Sequence, residues 1–389
     1  MEDLRYERIC SCALGRIFGY EPKYAIALIQ SFGSAAEVFR LAAEDDFPLM
    51  GAFSKYKGRL NPGAVKEAEK ELGRLEDMGC RYIAFTEDCY PPLLKDCCDA
   101  PPGLYVRSSS PPGEVFGRKD FIAVVGTRDI SPYGRECTRR IVENLTGAAP
   151  TIVSGLAIGV DICAHNTALD LGIPTVAVLP CGIDSVYPQS HRKAAKRIES
   201  SPGSALVTDY PPDTFPAAHT FIRRNRIIAG LAQKTILVES KTKGGGLITC
   251  RLAASYGREV FAVPGRVDDW RSAGCNALIR RGEAEAVTDF GNLGEQLGLG
   301  HLEPPCRAGL MEAVEARYAS LPVPCERSSL METVRIIRDN NGISLDEICF
   351  TTGKPYNEVS RLAATLESDK FIVIDIMGRC LLSDRYSKS

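Results

Sequence analysis

Residues 121–134 read Phe-Ile-Ala-Val-Val-Gly-Thr-Arg-Asp-Ile-Ser-Pro-Tyr-Gly. The apolar run Ile122–Val125 shows no polar alternation, the mark of a strand covered on both faces, as in a parallel sheet. A glycine-bearing loop follows, and helical spacing takes over across Gly134–Leu145. The same short cycle repeats down the chain. Further runs lie at Thr151–Val153, Thr175–Leu179, Ala205–Thr208, Thr235–Val238, Glu259–Val263 and Ala286–Thr288. Helices are expected over Asp161–Leu171, His191–Ile198, Arg224–Leu231, Leu247–Tyr256 and Asn276–Arg281. Strands alternating with helices predict an α/β core, a doubly wound, Rossmann-like and mostly parallel sheet.

Outside this core the pattern changes. Residues 1–75 carry helical apolar spacing, as at Ala25, Leu28, Ile29 and Phe32, interrupted by Gly15, Gly19, Gly33 and Pro48. They read as an N-terminal helical domain. Strand-like pieces at 81–85 and 104–106, set among proline pairs, form a lead-in to the α/β domain, taken as residues 76–295. Residues 296–327, with Pro304-Pro305 and Pro322-Val323-Pro324, read as a linker holding a short helix. In the last unit, 328–389, helices are expected at Val334–Arg338, Leu345–Phe350 and Tyr356–Leu366, and a strand pair at Phe371–Ile376 and Cys380–Leu382. That order is a winged-helix pattern. A length of 389 residues suits two or three such domains at roughly 100–200 residues each.

Forty-seven basic against forty-nine acidic residues exclude a wholly basic coat protein and leave room for a local basic patch. Fifteen cysteines with no C-x-x-C pair fit neither a disulfide framework nor a zinc site, so most are expected as small buried hydrophobes. Four histidines and no H-E-x-x-H leave metal chemistry without support. No apolar run approaches the ~20 residues of a membrane span, and Met1-Glu2-Asp3-Leu4-Arg5 lacks the basic start and apolar core of a signal peptide. The expected setting is cytoplasmic, with no membrane partner.

In an open parallel sheet, ligands bind beyond the carboxyl ends of the strands, where helix starts present free amides to anions. The loops there are Gly126-Thr127-Arg128, Ser154-Gly155-Leu156-Ala157-Ile158-Gly159-Val160-Asp161, Cys181-Gly182-Ile183-Asp184 and Gly244-Gly245-Gly246-Leu247-Ile248-Thr249. Their glycines let a backbone approach phosphate, and Thr127, Ser154 and Thr249 add hydroxyls. Neither the G-x-G-x-x-G fingerprint nor a Walker loop is present. Any one such loop can be an ordinary tight turn, but four on one sheet edge favour a phosphate-bearing ligand.

Charge sharpens that reading. Between residues 216 and 284 twelve Arg and Lys face five acids, a surplus of seven in a chain whose net charge is −2. Phe221-Ile222-Arg223-Arg224-Asn225-Arg226 is expected at a strand exit, where a base would stack on Phe221 while arginines take phosphates, a combination suited to single strands. Asp161, His165 and Asp184 are the acid/base candidates, and Asp161 is expected to cap and orient its loop. With no paired carboxylates and no nucleophile motif, no catalysis and no cofactor are expected. From Glu326 onward ten acids meet nine bases, which favours a protein contact over duplex reading for the last unit.

As a set, Ala-Val-Val-Gly-Thr-Arg (123–128), Val-Ser-Gly-Leu-Ala-Ile-Gly-Val-Asp-Ile-Cys-Ala-His (153–165), Tyr-Pro (187–188), Arg-Asn-Arg-Ile-Ile-Ala-Gly-Leu (224–231), Gly-Gly-Leu-Ile-Thr (245–249) and Glu-Val-Phe-Ala-Val-Pro-Gly (259–265) closely resemble the DNA-processing protein A family, DprA or Smf. The resemblance implies a cytoplasmic bacterial mediator that binds single-stranded DNA, shields it and loads the recombinase RecA during natural transformation. It further implies a homodimer without established catalysis, with the single-strand-binding protein as a further partner. The family's Rossmann domain is often preceded by a sterile-alpha-motif-like (SAM-like) domain and sometimes followed by a winged helix. Carried over by motif, Arg128 contacts phosphate, Gly126, Thr127, Ser154 and Gly155 shape the pocket, and Arg224, Asn225 and Arg226 line its rim. Members often carry a basic residue after Tyr-Pro; here Gln189 stands there, so Arg192 or Lys193 would supply the charge. Phe221, Arg223, Lys243, Gly245 and Thr249 complete the expected contacts.

Two other classes compete. A Rossmann-like nucleotide-binding enzyme of the phosphoribohydrolase type needs Gly-Gly-x-Gly-Thr-x-x-Glu. Placed on Gly245-Gly246, that pattern meets Ile248 and Leu252 where the third glycine and the glutamate belong. A transcription regulator acting through the last unit is disfavoured by that unit's charge.

Overall fold

Four helices open the chain in the computed structural model, which describes residues 2–44, 51–302, 310–319, 324–375, 378–383 and 386. They are α1 (Glu2–Phe18), α2 (Pro22–Phe32), α3 (Ala35–Ala42) and α4 (Pro62–Asp77), with a 3-10 segment, Gly51–Arg59, before the last. Ser34 Oγ accepts the Glu37 amide at 3.0 Å and Asn61 Oδ1 the Ala64 amide at 3.1 Å. Each cap satisfies a donor that a first helical turn leaves open. Two strands follow, β1 (Cys80–Ala84) and β2 (Gly103–Arg107), flanked by short helices α5 (Pro92–Lys95) and α6 (Pro112–Phe116). The opening helices pack on these strands, and the Tyr105 hydroxyl donates to the Glu71 carboxylate at 2.6 Å.

The alternating core comes next: β3 (Phe121–Val125), α7 (Pro132–Asn144), β4 (Thr151–Ser154), α8 (Val160–Asp170), β5 (Thr175–Val178), α9 (Arg192–Ser200), β6 (Ala205–Thr208), α10 (Ala218–Leu231), β7 (Lys234–Leu237), α11 (Gly245–Ser255), β8 (Glu259–Ala262), α12 (Ala273–Arg280), β9 (Glu285–Ala286) and α13 (Leu293–Gln296). These strands and the lead-in form one nine-stranded sheet in the order β1-β2-β6-β5-β4-β3-β7-β8-β9. Seven run parallel, and β2 joins β6 antiparallel, so the lead-in extends the same sheet. The chain fills one half outward from β3 through β4, β5 and β6, then returns through α10 to place β7 on the other side of β3. The cleft between the carboxyl ends of β3 and β7 is therefore the switch point of the sheet, the place where such folds bind ligands.

One sequence expectation fails here. The helix expected to begin at Arg224 begins at Ala218, so Phe221–Arg226 is helix rather than strand exit. The buried positions of α10 include Arg224 and Arg226. An apolar stripe is the signal by which helices are read, and the missed residues, Ala218–Arg223, bury only Thr220 and so carry no such stripe.

The chain divides into two compact units, Met1–Pro305 and Cys306–Ser389. The second holds α14 (Leu310–Tyr318), α15 (Pro324–Asp339), β10 (Ile343–Ser344), α16 (Leu345–Thr352), α17 (Tyr356–Ser368), β11 (Ile372–Ile374) and β12 (Arg379–Leu382), with sheet order β10-β12-β11. A capping box between Ser344 and Glu347 starts α16, and left-handed Gly353 ends it. Leu310, Val314 and Tyr318 of α14 bury into this unit's own core with Val334, Ile348, Val359 and Leu362. Pro48, Pro304, Pro305, Pro322, Val323 and Ile376, singled out in the sequence, lie outside the described residues. No single described helix is long and apolar enough to cross a membrane.

Candidate nucleic-acid interface

The switch point holds a cavity of about 440 Å³. Ala157 of the β4 loop and Asp161 in the first turn of α8 line it at the back, and the other walls come from three elements. The β3 loop contributes Gly126, Thr127 and Arg128; α10 contributes Ala218, Phe221, Ile222 and Asn225; the β7 loop and the start of α11 contribute Ser240, Lys241, Gly244, Gly245, Gly246 and Thr249. The α10 residues are spaced i, i+3, i+4, i+7, one face of the helix. At the start of α11, among the described residues, no side chain caps the first turn. The backbone amides there remain available to an anion.

The loops are fixed from behind. Asp161 Oδ2 accepts the amides of Gly155 at 3.1 Å and Ala157 at 3.4 Å, Ser154 Oγ donates to the Val124 carbonyl, and the Val160 amide donates to the Thr127 carbonyl. Glu239, fully buried at the end of β7, takes the Ser131 amide and hydroxyl and so ties the β3 loop across the cleft. Gly159 has φ +92, and a Cβ there would lie 2.2 Å from the Thr127 carbonyl oxygen, so only glycine serves. A Cβ on Gly155 would fall 2.0 Å from Arg224 Nη1.

At the mouth, the Arg128 guanidinium lies over the Phe221 ring, 4.5 Å from its centroid, and Tyr187 meets Phe221 edge-on at 5.6 Å. Arg128 and Lys241 are exposed, and among the described residues neither is ion-paired.

Not every expected contact lies here. Gly126, Thr127, Arg128, Phe221, Arg224, Asn225, Gly245 and Thr249 line the cavity. Arg224 does so from its floor, 3% exposed, donating to the Gly155 carbonyl at 2.6 Å and to the Val178 carbonyl. Burial lowers the Arg224 guanidinium to about 10, with Asp161 opposing the shift, and it keeps its charge at neutral pH. Arg226 points elsewhere, buried against the Asp209 carboxylate and the Asp99 carbonyl. Arg223 donates to the Gly19 carbonyl and stacks 4.7 Å from the Tyr20 ring centroid, binding α10 to the opening helices. Ser154 and Gly155 stand behind the cavity wall, while Arg192, Lys193 and Lys243 are exposed outside it. Lys241 was missed by sequence reasoning, although its place three residues before Gly244 in the basic run was a usable signal.

The acid/base candidates have structural partners. His165 Nδ1 meets Thr175 Oγ1 at 2.7 Å, and burial, reinforced by Arg224, pushes its imidazole down to about 3. Burial raises the Asp161 carboxyl and Arg224 opposes it. Asp184 accepts the Asp213 amide. The phosphoribohydrolase pattern finds Ile248 on the cavity wall and Leu252 outside it. Cys97 is buried, which pushes its thiol up to about 11, the opposite of a reactive thiolate.

The family model of DNA recombination-mediator protein A matches residues 81–298. Protein Smf of Escherichia coli is 37% identical over 262 residues, covering 67% of this chain and 68% of that protein. The DNA processing protein DprA of Streptococcus pneumoniae is 36% identical over 251 residues, 62% of this chain and 84% of that one. The X-ray structure of the Streptococcus pneumoniae protein superposes with a TM-score of 0.54 at 33% identity, over 64% of this chain and 86% of that one. DNA processing protein A of Helicobacter pylori, a structure described for its single-stranded DNA binding mode, gives 0.51 at 27% identity, over 57% and 97%. With more than half its length matched by the family model, the chain belongs to the DNA recombination-mediator protein A family.

Proposed function

We propose that the protein is a single-stranded DNA-binding recombination mediator and that the cavity between β3 and β7 takes its DNA. One observation carries this: an open helix start, the Phe221 ring and two cations with no acidic partner among the described residues share a concave site, with the Tyr187 ring edge-on to Phe221. The amides of α11 and the charges of Arg128 and Lys241 suit phosphate, and the Phe221 ring suits a base face. Its volume falls within the ~300–1,000 Å³ of a small-ligand site, room for a nucleotide and not for a duplex. A base must leave its stack to enter, which favours strands already single.

The reading extends to a cytoplasmic homodimer that hands the strand to RecA without a catalytic step, with the single-strand-binding protein as a neighbour. It takes the opening helices as a SAM-like domain and the second unit as a winged helix that contacts protein. In that unit Arg361 is paired with Glu326, and Lys354 with Glu332 at 2.6 Å, so charges at and just before α17 are already neutralised.

A fluorescent oligo-dT and the matching duplex, titrated at two salt concentrations, test the reading. Salt-sensitive binding that prefers the single strand supports it and calls for a RecA-loading assay. No binding at low salt, or equal binding of the duplex, overturns it.

A further inference from the structure

Trp270 is the only tryptophan in the chain, and it stands 46% exposed on the loop after β8. The loop that carries it is tied down by hydrogen bonds. Tyr133 donates to the Pro264 carbonyl at 2.7 Å, Gly265 and Asn276 exchange hydrogen bonds at 3.2 and 3.0 Å, and the Ser272 amide returns to the Asp269 carbonyl.

The indole is flanked by two cations, Lys241 Nζ at 4.1 Å and the Arg271 guanidinium at 4.3 Å from its centroid. An aromatic face attracts a cation without neutralising it. Of the nearby acids, Asp268 pairs with Arg266 and Asp269 accepts the Arg271 amide, while Asp129 forms an ion pair with Arg271 at 3.4 Å that an arriving phosphate would displace. Lys241 also lines the DNA cavity, and the Arg271 carbonyl accepts the Ser240 amide at 2.8 Å, so cavity and indole share one backbone junction.

A cavity with room for one nucleotide cannot hold a strand, so the remaining nucleotides must leave across a wall. We propose, resting on the single-strand reading above, that the strand leaves the cavity over Lys241, Trp270 and Arg271. The two cations take consecutive phosphates and the indole takes a base or sugar face. Trp270 holds both side chains extended before DNA arrives, which lowers the ordering cost of binding.

Because Trp270 is the sole tryptophan, its emission reports on this contact without a label. Thymidine monophosphate, which fills only the cavity, should change emission slightly at most, through Lys241, whereas oligo-dT of increasing length should quench it strongly once the strand reaches the loop. Trp270→Ala should weaken long oligo-dT roughly tenfold, while Trp270→Phe should keep most of the affinity. Arg271→Ala should lower the slope of log K against log salt by about 0.7, the value of one single-strand phosphate contact. If long oligo-dT binds the wild type yet leaves Trp270 emission flat, and both alanine variants bind every length as the wild type does, this path is wrong and the cavity reading stands. If no oligo-dT binds at all, both fall together.

Discussion

Arg224 and Arg226 belong to the helix that walls the cleft, and Arg128 and Lys241 to the loops that wall it, yet the two pairs belong to different worlds. The helical pair is 3% and 5% exposed and committed to carbonyls and a carboxylate, while the loop pair is exposed and lacks an ion-pair partner among the described residues. The cause is geometric. Each helical residue turns the side chain by about 100°, so three arginines within four residues meet three different neighbours: the β4 loop, Asp209 and the opening helices. A loop at a sheet edge has no second layer to bury its cations. Charge density along a sequence therefore overstates the surface field wherever the run is helical and internal.

The largest effect should come from breaking the buried side. Arg226→Ala leaves Asp209, whose side chain is only 10% exposed, without its ion-pair partner, and should cost about 3 kcal/mol of stability in urea unfolding. Arg226→Lys should rescue little, because one ammonium cannot serve both the carboxylate and the Asp99 carbonyl through a planar fork. Oligo-dT affinity of whatever remains folded should stay near that of the wild type. A stable Arg226→Ala protein that no longer binds DNA would invert the comparison.

His165 probes the same interior through pH. Its imidazole is held near 3 in the fold against an ordinary 6.5, so below pH 6.5 the unfolded chain takes up a proton that the folded chain refuses. Stability is lost as pH falls from 6.5 toward 3, by about 2 kcal/mol at pH 5 from this group alone. His165→Asn should flatten that slope in melts across pH 7 to 5. An unchanged slope would mean that the imidazole reaches solvent.

The sheet was legible because strands buried on both faces read as unbroken apolar runs: each of the nine begins and ends within two residues of a run visible in the sequence. The first turns of α10 were not, since Pro216 precedes them and Thr220 is their one buried residue, so no apolar stripe marks them. In the site, Gly126 and Gly244–Gly246 stood out because glycine at strand ends is a chemical signal. Burial of Arg224 and Arg226 depends on β5, β6 and the 96–99 turn arriving from elsewhere in the chain, and no local pattern carries that. Lys241 and Lys243 look alike in sequence and differ only in which way the loop presents them.

The exposed side breaks by smaller steps. Phe221 carries the stacked Arg128 and meets Tyr187 edge-on, so Phe221→Ala should cost about 1–3 kcal/mol of oligo-dT affinity with unfolding little changed, and Phe221→Tyr should restore most of it.

Smallest of all is the contrast between two lysines on one loop. Lys241 lines the cavity and Lys243, two residues on, does not. A fully hydrated lysine outside the contact acts through solvent, where charges are screened within about 8 Å at physiological salt. Lys243→Ala, like Arg192→Ala and Lys193→Ala, should change oligo-dT affinity less than about threefold at that salt, with the difference fading as salt rises. Lys241→Ala should lower affinity about tenfold and reduce the salt slope, because a phosphate contact releases its counterion. Equal losses in Lys241→Ala and Lys243→Ala would mean that DNA responds to the summed field of the basic run and not to the cavity. The sequence-level count would then have been the better guide than the geometry.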